Sequence, residues 1–324
     1  MKIPFVNFGK QYQEHKKEYD WAIRRCLSGG RLILQKELQQ FEERLAEKLG
    51  FKYAVGVGSG TDALILALKA KEASGVIDTT GYTFKATMEA IHHNQCKVLI
   101  EDIDEHRLAE NVVLPVHVEG MVCKSDKAII EDAAQAIAAK GVGYSGTVCY
   151  SFYPAKVLGG FSDGGAVCTN DQDVYKKVKL YRHHWQTGKN EKYGYTSRLD
   201  NVQAAFLSVK LKYLDNILER RAEIAEMYKK LGGLVGLPFY QKGRVWQDFV
   251  IRVQNPKKLA EYLAYNGIQT LGTGMTPPHK ALFKNYKLPE TEKLYSEMLR
   301  LPCNETLKNS DIEYIIKKIQ KFYE

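Results

Sequence analysis

Residues 52–70 read KYAVGVGSGTDALILALKA, and this stretch decides the fold class. A short apolar run typical of a β-strand leads into the turn Gly58-Ser59-Gly60-Thr61-Asp62, and the apolar residues 63–70 that follow predict a helix. A strand that passes into a helix through glycines leaves free N–H groups and the positive end of a helix dipole, a suitable site for phosphate. The turn alone is ambiguous, because glycine-rich turns with a Thr/Asp cap also occur for purely structural reasons. It is not a Walker loop, since no Gly-Lys-Ser/Thr follows.

Strand patterns recur after this unit and alternate with helical ones. They occupy residues 75–78, 97–101, 112–118, 128–131, 148–152 and 165–169. Strands that alternate with helices are connected by crossovers, so we predict an α/β fold with a mostly parallel sheet covered on both faces. Upstream, apolar spacing predicts a helix over 35–49 that stops at Gly50.

The pattern changes near Asn201 to long amphipathic helices. We predict a helix over 202–231, a strand over 248–253 and helices over 256–266 and 310–322, the last capped by Ser310 and Asp311. This change predicts two domains, a large one of residues 1–205 and a small C-terminal one of 206–324. The first thirty residues are expected to pack on either domain.

Composition excludes several classes of protein. The 324 residues are 44% hydrophobic and 26% charged, as in an ordinary soluble globular chain, and no apolar run approaches the roughly 18 to 20 residues of a membrane span. The first residues lack a signal-peptide pattern, so a cytoplasmic protein without membrane partners is expected. Six scattered cysteines form no C-x-x-C pair, which argues against a disulfide framework and a metal site.

The net charge of +9 raises the possibility of a nucleic-acid partner. The excess is spread through pairs such as Lys229-Lys230 and Lys317-Lys318 on amphipathic segments, not gathered with aromatic residues into a strip. Solvated helix faces explain it, and an anionic substrate suits it too. We therefore predict no nucleic-acid partner.

Two further segments bring reactive groups to strand ends. Ile130-Glu131-Asp132 closes an apolar strand, and we expect Asp132 to face a ligand while Glu131 points to the opposite side. Residues 150–156, YSFYPAK, place Lys156 just beyond another strand, where desolvation lowers an amine pKa and favours Schiff-base formation. Taken separately, each segment has an ordinary alternative: Asp132 as a solvated acid at a strand end, and Lys156 as a surface lysine. Together with the anion-binding turn they match the needs of a phosphorylated pyridine aldehyde.

The order of these segments resembles a known family. Six stretches are similar to the signature of the DegT/DnrJ family of sugar-nucleotide aminotransferases: 58–64 (GSGTDAL), 82–87 (YTFKAT), 115–117 (PVH), 130–136 (IEDAAQA), 151–156 (SFYPAK) and 197–205 (SRLDNVQAA). The start of the chain, 3–7 (IPFVN) and 28–31 (SGGR), resembles the family as well. The resemblance implies the aspartate-aminotransferase fold (fold type I), in which a mostly parallel seven-stranded sheet between helices forms the large domain and a smaller α+β domain follows.

The resemblance also implies roles for particular residues. Lys156 forms the Schiff base with pyridoxal 5′-phosphate and moves the proton, and Asp132 keeps the ring nitrogen protonated. The other expected cofactor contacts are Gln135 to the ring hydroxyl, Phe84 to the ring face, and Gly60, Thr61, the Asp62 N–H and Ser151 to the phosphate. Thr196, where the family usually has Asn, is expected to make a weaker phosphate contact across a homodimer interface. Arg31 and His184 are candidate substrate contacts, whereas His117 and His279 are not assigned a catalytic role.

The expected reaction is transfer of an amino group, through the pyridoxamine form, from a donor such as glutamate to a keto group of a nucleotide-linked deoxy sugar. A minority of the family has His in place of the lysine and dehydrates sugars, so Lys156 favours transamination. A pyridoxal-phosphate-dependent dehydratase and a non-catalytic cofactor-binding regulator remain the alternatives. Segments 74–80 and 104–114 are shorter than usual in the family, which bears on the substrate entrance.

Overall fold

The computed structural model describes residues 2–186, 193–283 and 285–324. The helices are α1 (Phe8–Glu14), α2 (Lys16–Ser28), α3 (Lys36–Leu49), α4 (Gly60–Ala70), α5 (Lys85–His93), α6 (Gln172–Tyr181), α7 (Asn201–Lys212), α8 (Leu214–Tyr228), α9 (Pro256–Tyr265), α10 (Pro278–Leu282), α11 (Pro289–Glu297) and α12 (Asn309–Tyr323). The strands are β1 (Tyr53–Val57), β2 (Val76–Thr80), β3 (Lys97–Glu101), β4 (Glu131–Asp132), β5 (Thr147–Ser151), β6 (Gly165–Thr169), β7 (Phe249–Arg252) and β8 (Met298–Leu301).

The strands form an α/β fold with a mixed sheet. Four strands lie in the order β1-β6-β5-β4, and β2 pairs in parallel with β3. Two parallel bridges, Thr79 with Leu114 and Val116 with Asp132, join the two groups. The sheet is mixed rather than wholly parallel, because β6 runs antiparallel to both β1 and β5 while β2–β3, β4–β5 and the two bridges are parallel. Strands β5 and β6 are joined without a helix, and such a connection suits antiparallel neighbours, whereas parallel ones need a crossover.

Two predicted elements differ from the structure. The strand expected over 112–118 is reduced to the two bridges, because Pro115 has no N–H to donate and Glu119 (φ 55°) turns the chain into the short 3-10 helix Val118–Gly120. The long helix expected over 202–231 is divided at Tyr213 into α7 and α8, and a 3-10 turn follows. The predicted domain boundary at 205/206 falls inside α7, and the division into two domains stays a prediction.

Helix ends follow local chemistry. Gly50 closes α3 with φ 75°, a left-handed conformation that glycine adopts without strain. At the other end of the chain, the N-cap residue of α12 is Lys308, and Ser310 and Asp311 both lie in the first turn, where the Asp311 carboxylate accepts the Lys308 N–H.

Three large clusters of buried apolar residues pack the helices against the strands. One lies around α4, α5 and β1–β3, one between α3, α7 and the strands β5 and β6, and one in the C-terminal part around β7, β8 and α12, which Ile3 also joins. All six cysteines are buried and free. Among the described residues, the helices are too short or too polar to cross a membrane, and the His, Cys, Asp and Glu side chains form no cluster of three or more suited to a metal ion.

A buried ionic network connects distant parts of the chain. The fully buried Glu119 carboxylate accepts hydrogen bonds from Tyr82 Oη (2.7 Å) and Arg107 Nη1 (2.8 Å). Arg244 Nη2 donates to the Glu119 carbonyl and lies 3.7 Å from its carboxylate. Burial raises the pKa of Glu119, but the charges of Arg107 and Arg244 outweigh it, so the pKa lies below its ordinary value.

Candidate active site

Three strands bring their functional ends to one edge of the sheet. The pairing registers place Val57 at the end of β1, Gly165 at the start of β6 and Ser151 at the end of β5 in one row. Strand β4 runs parallel to β5 and places Asp132 opposite Cys149. The glycine-rich turn, Asp132 and the segment that carries Lys156 therefore leave the sheet on the same side.

The glycine-rich turn has the geometry of an anion site. Ser59 is the N-cap of α4, and its hydroxyl accepts the Asp62 N–H at 3.0 Å. This corrects the expectation that the Asp62 N–H binds phosphate, because Ser59 already uses it. Gly60 and Thr61, the first two residues of the helix, have N–H groups without a partner inside it. A Cβ on Gly60 would lie 2.7 Å from Ser151 Cβ, so the Ser151 hydroxyl borders the turn.

The sequence did not predict that Ser197 supports this turn. Its hydroxyl accepts the Gly58 N–H at 3.1 Å and donates to Asp62 Oδ2 at 2.7 Å. Ser197 thus ties the loop before α7 to the turn after β1. It belongs to the SRLDNVQAA stretch, but nothing in the spacing indicates its partner 139 positions away.

Asp132 is a buried carboxylate, 5% exposed, held by its neighbours. Its Oδ2 accepts the Thr87 hydroxyl at 2.8 Å and its Oδ1 accepts the Ala134 N–H at 3.1 Å. Thr87 is in turn hydrogen-bonded to Thr83 at 2.7 Å. The sequence analysis did not predict either threonine as a partner of Asp132, because they follow β2 whereas Asp132 lies in β4. They fix the orientation of Asp132.

Glu131 points away from this group, as the alternation of strand side chains predicts. Its carboxylate accepts from His117 Nε2 (2.9 Å) and from the N–H groups of Gly143 and Ser145. His117 Nδ1 accepts the Cys123 N–H, so this buried histidine positions a loop. Burial raises the Glu131 pKa, but the hydrogen bonds from His117 and Gly143 outweigh it and leave the pKa below its ordinary value.

Lys156 follows β5 and lies within the influence of two carboxylates. Burial lowers the pKa of its amine from the ordinary value, while Asp248 and Asp132 oppose that shift and Arg300 adds to it. Asp248 is itself held by Arg300 Nη1 at 2.8 Å. A lowered amine pKa increases the neutral, nucleophilic fraction of Lys156 at a given pH.

Gln135 and Phe84 have positions that suit their predicted roles without testing them. Gln135 Oε1 accepts the Glu119 N–H at 2.7 Å, which leaves the side-chain nitrogen as the donor for a ligand. Phe84 is the N-cap residue of α5 and its ring is 63% exposed. Both contacts stay predictions.

The three remaining candidates make local contacts. The exposed Thr196 hydroxyl is hydrogen-bonded to His184 Nε2 at 2.7 Å, so the predicted phosphate and substrate contacts lie side by side. Arg31 Nε donates to Glu37 Oε1 of α3 at 3.1 Å, and Arg31 Nη2 donates to the Arg25 carbonyl of α2 at 3.3 Å. Their roles toward cofactor and substrate stay predictions. His279, which was not assigned a role, is buried and lies 3.4 Å from Glu292.

The arrangement has a defined chemical capacity. An N-terminal helix turn and a hydroxyl can hold a phosphate, a buried carboxylate can bind a protonated ring nitrogen, and an amine of lowered pKa can attack a carbonyl. These groups fit pyridoxal 5′-phosphate, since Gly60 has no room for a side chain at the phosphate end and Asp132 is oriented by a hydroxyl donor.

Comparisons with known proteins agree with this geometry. A sequence model described as the DegT/DnrJ/EryC1/StrS aminotransferase family matches residues 13–320. The chain is 33% identical to a "Pleiotropic regulatory protein" of Geobacillus stearothermophilus, over all of this chain and 99% of that protein. It is also 33% identical to the dTDP-3-amino-3,6-dideoxy-alpha-D-galactopyranose transaminase of Aneurinibacillus thermoaerophilus, over 99% of each. The structure of DesV from S. venezuelae in complex with a ketimine intermediate superposes with TM-score 0.91 at 30% identity, over 100% of this chain and 99% of that one.

Proposed function

The chain belongs to the DegT/DnrJ/EryC1/StrS aminotransferase family, and on that basis we propose that it is a pyridoxal-phosphate-dependent sugar-nucleotide aminotransferase. The observation that carries the proposal is the convergence of Lys156, Asp132 and the Gly60 turn on one sheet edge. The reaction places an amino group on a keto carbon of a nucleotide-linked sugar.

The cofactor would be held by groups from four segments. Gly60, Thr61 and Ser151 bind the phosphate, and Asp132 holds the proton on the ring nitrogen. The Gln135 amide donates to the ring hydroxyl, and Phe84 stacks on the ring. When bound, pyridoxal phosphate supplies an electron sink that stabilises the charge left when a proton leaves the neighbouring carbon.

Lys156 carries the proton transfer. Its amine would hold the cofactor covalently, and the same amine, when free, would remove the proton from one reacting carbon and return it to the other. Burial favours the neutral amine that acts as the base, whereas Asp132 and Asp248 favour the ammonium that acts as the acid. The effect of burial is the larger, so the pKa of the amine lies below its ordinary value.

The finer features of the fold and assembly belong to the same proposal. We infer that residues 114–116 are the counterpart of one more strand, so that β3, β2, this segment, β4, β5, β6 and β1 make the seven-stranded sheet of fold type I. The active form is a cytoplasmic homodimer with a large domain (1–205) and a small α+β domain (206–324). Thr196 contacts the partner's cofactor phosphate, and Arg31 and His184 contact substrate.

The substrates follow from the relatives' chemistry. The Aneurinibacillus relative is named for a dTDP-linked 3-amino sugar, so a nucleoside diphosphate keto-sugar is the proposed acceptor, with glutamate as the amino donor. The net charge of +9 suits a substrate that carries a diphosphate.

The visible spectrum of the purified protein tests the proposal. We expect a Schiff-base band that glutamate bleaches as 2-oxoglutarate forms, and that Lys156→Ala lacks. Asp20→Asn, on the exposed face of α2, is the matched control and keeps the band. A wild-type protein that shows no band after addition of pyridoxal phosphate contradicts the Lys156 assignment.

Product analysis separates the alternatives. The Geobacillus relative is named as a regulatory protein, so a non-catalytic regulator is the second candidate. A band that persists unchanged with every amino donor and keto-sugar favours it. A deoxygenated keto-sugar formed without net amine transfer favours a dehydratase.

A further inference from the structure

Gln247 forms hydrogen bonds on both sides of Lys156. Its side-chain Oε1 accepts the Val157 N–H at 3.2 Å, and its Nε2 donates to the Ala155 carbonyl at 2.9 Å. Gln247 is 7% exposed and lies 90 positions after Val157, two residues before the start of β7. No sequence pattern indicates this contact, and Gln247 is not among the residues of the proposed cofactor or substrate site.

These two bonds fix the peptide planes on either side of the Lys156 Cα. The Ala155 carbonyl belongs to the peptide bond before Lys156, and the Val157 N–H belongs to the one after it. Peptide units are planar, so holding both determines the two backbone dihedrals at Lys156 and the direction of its Cα–Cβ bond. The planar amide of Gln247 supplies donor and acceptor in one rigid unit.

Gln247 is itself rigidly held. Arg221, 2% exposed, donates from Nη1 to the Gln247 carbonyl at 2.9 Å and to the Trp246 carbonyl at 3.2 Å. The next residue, Asp248, is fixed by Arg300. The segment before β7 therefore presents to Lys156 a backbone clamp and, one residue later, a carboxylate.

We propose that Gln247 is a positioning residue for the catalytic amine, because its two hydrogen bonds hold the Lys156 backbone and so fix the direction in which the side chain leaves the loop. This inference rests on the proposed function. Without the clamp, the loop moves toward solvent, the amine regains an ordinary titration, and the attack on an aldehyde starts from a poorer geometry.

The chain offers a closely matched control. Gln203, 5% exposed, holds the same loop further along, accepting the Phe161 N–H at 2.9 Å and donating to the Asp163 carbonyl at 3.3 Å. Gln247→Met and Gln203→Met each remove two hydrogen bonds of the same type and keep the side-chain length. A purely structural role for Gln247 predicts equal effects of the two changes.

The first measurement is the labelling of Lys156 by acetic anhydride in the full-length chain without added cofactor, followed by peptide mass spectrometry from pH 6 to 11. In Gln247→Met we expect the pH of half-labelling to rise, so that labelling at pH 8 falls by about threefold. In Gln203→Met we expect the wild-type curve. The second is the rate at which added pyridoxal phosphate is captured on Lys156 by borohydride, which we expect to fall by about tenfold in Gln247→Met alone.

Equal labelling curves and equal capture rates for the two variants overturn the inference. Should Gln247→Met not fold, Gln247→Glu takes its place, since it keeps the acceptor for the Val157 N–H and loses the donor to the Ala155 carbonyl; a wild-type labelling curve there overturns the inference as well. A wild-type chain that captures no cofactor on Lys156 contradicts the proposed function instead, while the labelling curves still decide the role of Gln247.

Discussion

At the scale of single residues, the site depends on hydroxyl donors that orient the acids. The Thr87 hydroxyl, on α5, is bonded to Asp132 Oδ2, and Thr83 is bonded to Thr87. A hydrogen bond to a charged group contributes roughly 1.5 to 3 kcal/mol, enough to determine which way a carboxylate faces. The hydroxyl of Thr87 is therefore expected to matter for catalysis through the orientation of Asp132.

Replacement of Thr87 by valine tests this expectation. Thr87→Val keeps the shape of the side chain and removes the donor, so we expect the rate of the glutamate half-reaction to fall by about tenfold. Thr87→Ser restores the hydroxyl and most of the rate. Stopped-flow absorbance of the bound cofactor gives the rates, and equal rates for the valine and serine variants would contradict the role of the hydroxyl.

The sequence predicted the reactive groups better than their supports. Asp132 and Lys156 can be singled out because a charged residue after an apolar strand stands out locally, and their roles stay predictions. Thr87, Ser197 and Gln247 were missed, because their partners lie 45, 139 and 90 positions away and only the folded chain brings them together. A polar residue on a helix carries no signal of the carboxylate that it meets in the fold.

At the scale of elements, helix α7 brings a buried lysine to the loop that carries Lys156. Lys210, 4% exposed, donates from Nζ to the Gly159 carbonyl at 3.3 Å. Burial lowers its pKa from 10.5 to about 8, although the Glu305 carboxylate opposes the shift. The unfolded chain, with a pKa near 10.5, binds more protons than the folded one between these values.

This difference makes stability depend on pH with a definite sign. Below about pH 8 the lysine is charged in both states and its burial is most unfavourable, so its contribution to stability rises as the pH goes from 8 toward 10.5. We expect the free energy of unfolding of the wild type, relative to Lys210→Met, to rise by about 1 to 2 kcal/mol between pH 7.5 and 9.5. Urea denaturation measures it.

Lys212 is the control in the same helix, because its side chain is 55% exposed. We expect the difference between wild type and Lys212→Met to stay level over that pH range. A level difference for Lys210→Met would show that its amine titrates at an ordinary pH in the folded state.

The bounds of helices and strands were predicted correctly where the local sequence pattern alone determines them. The strands over 97–101 and 165–169 have the predicted bounds, and the helix before Gly50 ends where predicted. The division at Tyr213 was missed because no Gly or Pro marks it, whereas its hydroxyl is bonded to Glu18 of α2 in the folded chain. Contacts between elements set such boundaries.

At the scale of the whole molecule, the Glu119 network joins segments that lie far apart in the chain. Tyr82 and Arg107 come from the first half, Arg244 from the second, and Gly120 leaves no room for a side chain, since a Cβ there would lie 1.9 Å from the Val245 carbonyl oxygen. The turn at Glu119 also holds Gln135 through its N–H. The residues that hold these distant segments together therefore also hold Gln135, one of the predicted cofactor contacts.

Loss of its central charge should destabilise the whole fold. Glu119→Gln leaves Arg107 and Arg244 buried without a full counter-charge, and we expect the free energy of unfolding to fall by about 3 to 5 kcal/mol in urea denaturation at pH 7. Glu297→Gln removes a carboxylate that pairs with Arg252 at a partly exposed site, and costs about 1 kcal/mol or less. An equal fall in the free energy of unfolding for the two variants would contradict a special contribution of the Glu119 network to stability.

Acid should also destabilise the wild-type protein, because it protonates the Glu119 carboxylate. Because the Glu119 pKa is lower in the folded state, its contribution is present above the unfolded value of 4.5 and is lost as the pH falls through the folded one. Glu119→Gln should lack this part of the acid dependence.

The burial of every thiol gives the molecule a set of internal reporters. The protein has six free cysteines, and burial holds the pKa of Cys149 well above its ordinary value, so the reactive thiolate is scarce in the folded chain. A thiol reagent reacts only after the surrounding layer opens. Cys96 and Cys303 belong to different apolar clusters, so their separate reaction rates time the opening of the sheet core and of the C-terminal core without any added label.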